Sequence, residues 1–181
     1  MTDTGKEPWL AEGLALLAEQ GAQALTLERL CERLGKTKGS FYHHFGSVPK
    51  YRTSLLAHFE AGYTAAIIDA VERSGSGSGR EKLERLLLKV ALRDGPELEI
   101  AMRAWAKQDP EAKAVQARVD ATRTAYLRTL CEQAGFADPD RMAKLLYVVL
   151  IGAGHLTPPL PSAEVVGMYE LLLSSGRPEI G

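Results

Sequence analysis

The run GKTKGSFYHHF, Gly35 to Phe45, places two lysines, two histidines and three aromatic rings among small residues. Adjacent histidines suggest a metal or catalysis, and lysines beside small residues suggest a phosphate. The metal reading fails on spacing. Neighbouring helix positions do not face one another, and neither His43 nor His44 has a ligand type four residues on. The chain also lacks an HExxH motif, a glycine-rich phosphate loop after a strand, and any plausible catalytic triad. No catalytic residue, metal or cofactor is expected, and the chain does not read as an enzyme.

The elements around this run say what it can do. Pro8 to Gln20 reads as a first helix, with Pro8 in its first turn and Gly21 at its left-handed end. Thr26 is a good N-cap for a second, and Gly35 ends it. Leu27, Leu30, Cys31 and Leu34 fall at i, i+3, i+4, i+7 along that helix. About eight residues do not hold a helix alone, so neighbours must support it. A third helix runs from Thr37 to about His44. Phe41 and Phe45, four apart, share its inward face, while Lys38, Gly39, Tyr42 and His43 lie on adjacent strips able to face outward. Two short helices joined by a glycine turn make a helix-turn-helix, whose second helix can enter the DNA major groove. Gly39 costs about 1 kcal/mol against alanine inside a helix, a loss that fits close approach of another molecule.

Charge agrees with an anionic partner. Residues 1–28 carry −4 and residues 29–52 carry +5, although the whole chain carries only −1. The 45% hydrophobic composition supports a core. No run is long enough to span a bilayer, and the N-terminus does not read as a secretory signal. Cys31 and Cys131 match no metal or disulfide spacing, which fits a reducing cytoplasm.

Downstream, a long fourth helix is expected from Ser47 to about Arg73. The Gly/Ser string at 74–79 reads as an interhelical loop. Further helices are expected at 80–93, 97–107, 110–134, 139–156 and 163–174, with breaks at Gly95-Pro96, Asp109-Pro110, Gly135 and the proline cluster at 157–162. Residues 145–154 are apolar without interruption. A helix apolar nearly all round is buried on more than one face. Pairing of two such helices from each of two subunits, a four-helix bundle, accounts for this; an unusually deep monomer core is the alternative. The dimer candidates are Leu145, Val148, Val149, Gly152, Leu156, Val165, Met168, Tyr169 and Leu172. Candidates for lining a ligand cavity are Phe59, Tyr63, Met102, Trp105, Tyr126 and Tyr147, each of which also reads as plain core.

Three stretches, WLAEGLALLAEQG, ALTLERLCERLG and KTKGSFYHHFGS, resemble the DNA-binding head of TetR-type (tetracycline-repressor-like) transcriptional regulators over residues 9–59. RAWAKQDPEAKAV, residues 103–115, resembles a segment of many members. The resemblance implies an all-α fold. A three-helix helix-turn-helix head, residues 1–52, would precede a helical ligand-binding and dimerisation bundle, residues 53–181. It implies a homodimer on a palindromic operator, usually a repressor released by a small molecule, acting in the cytoplasm. Base contacts would fall on Lys38, Gly39, Ser40, Tyr42 and His43, and phosphate contacts on Thr26, Thr37, Tyr42 and His44. Val48 departs from the family, which commonly has lysine there; Lys50 is the substitute. The same departure leaves open a helical dimeric adaptor that has weakened or lost DNA binding.

Overall fold

Caps and glycines set the N-terminal helices. The computed structural model describes residues 5–74, 77–93 and 96–175, and all regular structure among them is helical. Helix α1 spans Glu7–Gln20, α2 Leu27–Leu34, α3 Lys38–Phe45 and α4 Val48–Glu60. Thr26, Thr37 and Ser47 cap α2, α3 and α4, each accepting the backbone N–H three residues on. Gly35 closes α2 in the left-handed region at φ 60°, where a side chain would be strained. Pro49 sits in the first turn of α4, where no N–H donor is needed.

The expected single helix from Ser47 to Arg73 is interrupted. After α4 comes a π-helical turn, Ala61–Ala65, and then α5, Ala66–Arg73. A π turn adds one residue per turn without breaking the run of apolar positions, so periodicity does not reveal it. The remaining helices are α6 Gly79–Ala91, α7 Glu97–Ala106, α8 Pro110–Gln133, α9 Pro139–His155 and α10 Ser162–Ser175. Their bounds lie within a residue or two of those expected, because each break carries proline, glycine or a capping side chain. Residues 75 and 76 of the Gly/Ser string, and Gly95, lie outside the described residues. Ser78 and Glu81 form a reciprocal capping box that starts α6.

The chain forms two compact units. The first takes Met1–Tyr63 and Glu97–Arg118; the second takes Thr64–Pro96 and Val119–Gly181. In the first, α1 packs against α2, α4 and α7. Its core holds Trp9, Leu16, Leu17, Leu30, Phe41, Tyr51, Leu55, Leu56, Phe59 and Met102, each at most 1% exposed. The Phe41 ring lies 5.4 Å from Trp9, 5.2 Å from Phe45 and 5.2 Å from Tyr51, within the range where edge and tilted ring pairs attract. Gly13 is the notch in α1 that admits Tyr51. A Cβ there would lie 2.0 Å from the tyrosine oxygen, which donates to the Trp9 carbonyl at 3.0 Å. Burial pushes this phenol well above the usual tyrosine range.

The second unit has its own core, built on Leu83, Leu87, Leu130, Cys131, Ala143, Leu146, Val165 and Tyr169. Helix α10 packs on α6 and α9. Cys131 is a buried free thiol pushed up to about 11 by that burial; Cys31, also free, is half-buried in the first unit.

Candidate nucleic-acid interface

Helix α3 has two unlike sides. Phe41 and Phe45 are buried and anchor it. Thr37, Lys38, Gly39, Tyr42 and His43 are exposed, and Ser40 and His44 are half-buried beside them. Thr26, at the start of α2, and Lys50, in the first turn of α4, are exposed as well. Tyr42 is 49% exposed although its ring packs edge-on against Phe41, 5.6 Å between centroids. The core thus fixes where its hydroxyl points. Gly39 has no steric reason inside the chain. A Cβ there would meet only the Thr37 hydroxyl, at an ordinary 3.7 Å. The Thr37 hydroxyl accepts from Ser40 N–H at 3.2 Å, which fixes the start of the helix.

The basic cluster at residues 29–52 is less free than its count implies. Arg33 pairs with Glu12 at 2.5 Å and with Glu19 at 2.6 Å. Arg29 donates to Gln20 at 2.5 Å. Arg52 pairs with Asp109 at 2.8 Å and lies 5.2 Å from the Trp105 ring centre. Lys36 stands 5.7 Å from the Trp9 ring centre. Lys38 bonds Glu28 at 2.5 Å; that bond lowers the Glu28 carboxyl and raises the Lys38 ammonium. Much of the charge asymmetry therefore joins α2 and α3 to acids on α1 and α2. Sequence reasoning missed these pairings because nothing in local spacing links Arg33 to Glu19 or Arg52 to Asp109. Val48 is half-buried at the first position of α4, with Lys50 exposed two residues on.

Residues 10–47 match the family model of bacterial regulatory proteins of the tetR family. No curated protein matches the chain significantly. Solved structures of the same fold do. A putative TetR-family regulator from Rhodococcus sp. is 20% identical at a TM-score of 0.77, over 96% of this chain and 99% of that one. A putative regulator from Saccharomonospora viridis, in complex with choline, is 14% identical at 0.78, over 96% and 97%. The reduced form of E. coli NemR is 19% identical at 0.75, over 93% and 97%. The head, residues 10–47, is therefore of the tetR type, and the fold is that of solved TetR-family regulators. The TetR-type head is a DNA-binding helix-turn-helix, and among the described residues no helix is long and apolar enough to cross a membrane.

The other expected sites divide. In the second unit Leu145, Val148, Gly152 and Leu156 form one exposed stripe along α9 and its end, and Met168 is exposed on α10. Leu171, missing from the expected set, is 69% exposed on α10, three residues after Met168 and so on the same strip. Val165 and Tyr169 instead lie in the unit's own core, with Val149 and Leu172 half-buried against it. Of the cavity candidates, Phe59, Met102 and Trp105 are buried and Tyr63 half-buried in the first unit, where Tyr63 stacks on Phe59 at 5.3 Å. Tyr126 and Tyr147 are half-buried in the second. Tyr147 donates to Asp120 at 2.7 Å and accepts from Arg123 at 3.4 Å, and burial pushes it up to about 12. Arg123 also donates to the buried Thr64 hydroxyl at 3.2 Å.

Proposed function

We propose that the chain is a homodimeric repressor that leaves a palindromic operator when a small molecule binds. Its division of labour runs from a DNA-binding part, residues 1–52, to a ligand-binding and dimerisation part, residues 53–181. It acts in the cytoplasm, with the DNA. The observation that carries this reading is helix α3: its buried rings fix it in the head while Thr37, Lys38, Gly39, Tyr42 and His43 stand together in water. Lys38, Ser40, Tyr42 and His43 supply donors for base edges, and Gly39 lets the backbone come close. Thr26, Thr37, Tyr42, His44 and Lys50 supply phosphate contacts, which set register without reading sequence. Lys50 takes the place of the lysine that Val48 replaces.

The exposed stripe of Leu145, Val148, Gly152 and Leu156, with Met168 on α10, supports a subunit contact, since exposed apolar residues in a row mark association surfaces. A Cβ at Gly152 would meet nothing within 4 Å in its own chain, which leaves space for a partner helix. Choline in the Saccharomonospora viridis structure supports a small-molecule effector for the fold. Phe59, Tyr63, Met102, Trp105, Tyr126 and Tyr147 remain the candidates to meet one.

Selection from a pool of random duplexes by the wild-type protein should enrich a sequence with two-fold symmetry. Its affinity should fall linearly on a log–log plot against salt. Sedimentation should give twice the chain mass. The reading fails if no duplex is retained above the random background at low salt.

A further inference from the structure

We propose that Glu28 is a specificity-determining charge gate on the head: it occupies the Lys38 ammonium until a base-edge acceptor replaces it. The inference rests on the proposed DNA-facing role of α3.

Lys38 is the first residue of α3, and Glu28 lies in the first turn of α2, two residues after Thr26. Their side chains meet at 2.5 Å, ten residues apart in sequence. A carboxylate oxygen here takes the donor that a guanine edge would take. Both side chains are well exposed, at 58% and 68%, so salt screens the pair and water can replace either partner. The bond is therefore easily exchanged. Glu28 lies two residues after Thr26, and its partner Lys38 follows Thr37; both threonines are caps proposed to meet phosphates.

On DNA of arbitrary sequence, Lys38 has no fixed base-edge acceptor and stays with Glu28. The head then offers one positive charge fewer, and Glu28 is repelled by the backbone. On the operator, an acceptor such as guanine O6 or N7 takes the ammonium in a fixed geometry. Glu28 is then free to turn toward water. The gate weakens binding everywhere, but least at the right sequence, and so widens the margin between operator and random DNA. Its value to the protein is discrimination rather than affinity.

The test uses the full-length protein, a duplex selected by the wild type, and a random duplex of equal length. Glu28→Gln should tighten binding to the random duplex about tenfold for a protein with two heads, by the Coulomb interaction of one charge per head in water. Operator binding should change less, so that the ratio of the two affinities falls. The salt dependence on random DNA should steepen by about one counterion per head. In a Lys38→Met background, Glu28→Gln should still tighten binding to both duplexes but should no longer change their ratio. That result separates a gate acting on Lys38 from simple repulsion. Glu28→Asp should keep most of the wild-type ratio.

An unchanged ratio in Glu28→Gln, with DNA binding intact, overturns the gate while leaving the DNA-binding role standing. Weaker operator binding also overturns it, because Glu28 would then be a direct base reader. A wild-type protein that retains no duplex overturns the DNA-binding role and the gate together. Circular dichroism and melting of each variant, expected to match wild type, show that an altered ratio is not a folding defect.

Discussion

Helices α3 and α9 each turn one side to water, and the two sides differ in kind. The exposed side of α3 carries hydroxyls, an amine, imidazoles and one phenol, over a back of buried rings. The exposed side of α9 carries Leu145 and Val148, the latter 65% exposed, over a core formed by Ala143, Leu146 and Ala153. A polar side loses nothing by standing in water until a partner displaces it. An apolar side costs free energy for as long as it is uncovered. On the proposed reading, this contrast assigns α3 a reversible, salt-sensitive contact and α9 a lasting one.

The comparison is broken most severely at its foundations. Phe41→Ala removes a fully buried ring that touches Trp9, Phe45 and Tyr51, and should destabilise the protein by about 3–5 kcal/mol in urea unfolding. DNA binding should vanish with it, although Phe41 lies in the core and not on the exposed side of α3.

Val148→Glu tests the opposite side. The subunit should keep its helix content, because the residue is exposed. The dimer should dissociate at least a hundredfold more readily in sedimentation, since burying an unpaired carboxylate is strongly unfavourable. An unaltered dimer would place the subunit contact elsewhere.

Lys38→Ala sharpens the reading of α3. The operator's advantage over random DNA should fall about tenfold in competition gel shifts, the scale of one lost base contact. Lys50→Ala should instead weaken both duplexes alike and reduce the salt slope by about one per head.

Thr37→Ala removes the α3 cap and should cost about 1 kcal/mol in unfolding experiments, with DNA binding weakened in proportion.

The smallest effect concerns acid. The Ala112 N–H and then Arg52 hold the Asp109 carboxyl below its ordinary range. A carboxyl depressed in the folded state adds stability above its unfolded pKa, near 4, and loses it as pH falls through the lower folded value. The wild type should therefore lose slightly more stability than Asp109→Asn between about pH 4 and pH 2, by less than about 1 kcal/mol for a half-buried pair that solvent still screens. Urea melts at the two pH values check the sign.

Local signals made most of the head legible. Thr26, Gly35, Thr37 and Ser47 set helix ends through their own backbone preferences and hydroxyls, so their meaning needs only a few neighbours. The four-residue spacing of Phe41 and Phe45 declared the buried side of α3, and the rest of that helix followed. Gly13 was not legible from its neighbours. Its actual reason is a ring that arrives from a residue 38 positions away. Val165 and Tyr169 show the same limit. An apolar run states that a helix is buried but does not divide its sides between the chain's own core and another subunit.

The sequence by itself determined the all-helical plan, the helix ends and the anchored third helix, because caps, glycines and 3.6-residue periodicity act over one or two turns. Only the tertiary structure decided which charges meet. Arg33 with Glu12 and Glu19, Arg52 with Asp109, and Lys38 with Glu28 are joined by packing between helices, so a formal +5 over residues 29–52 overstated the charge free to meet DNA. A count of charges carries no distances, and Coulomb energy depends on little else.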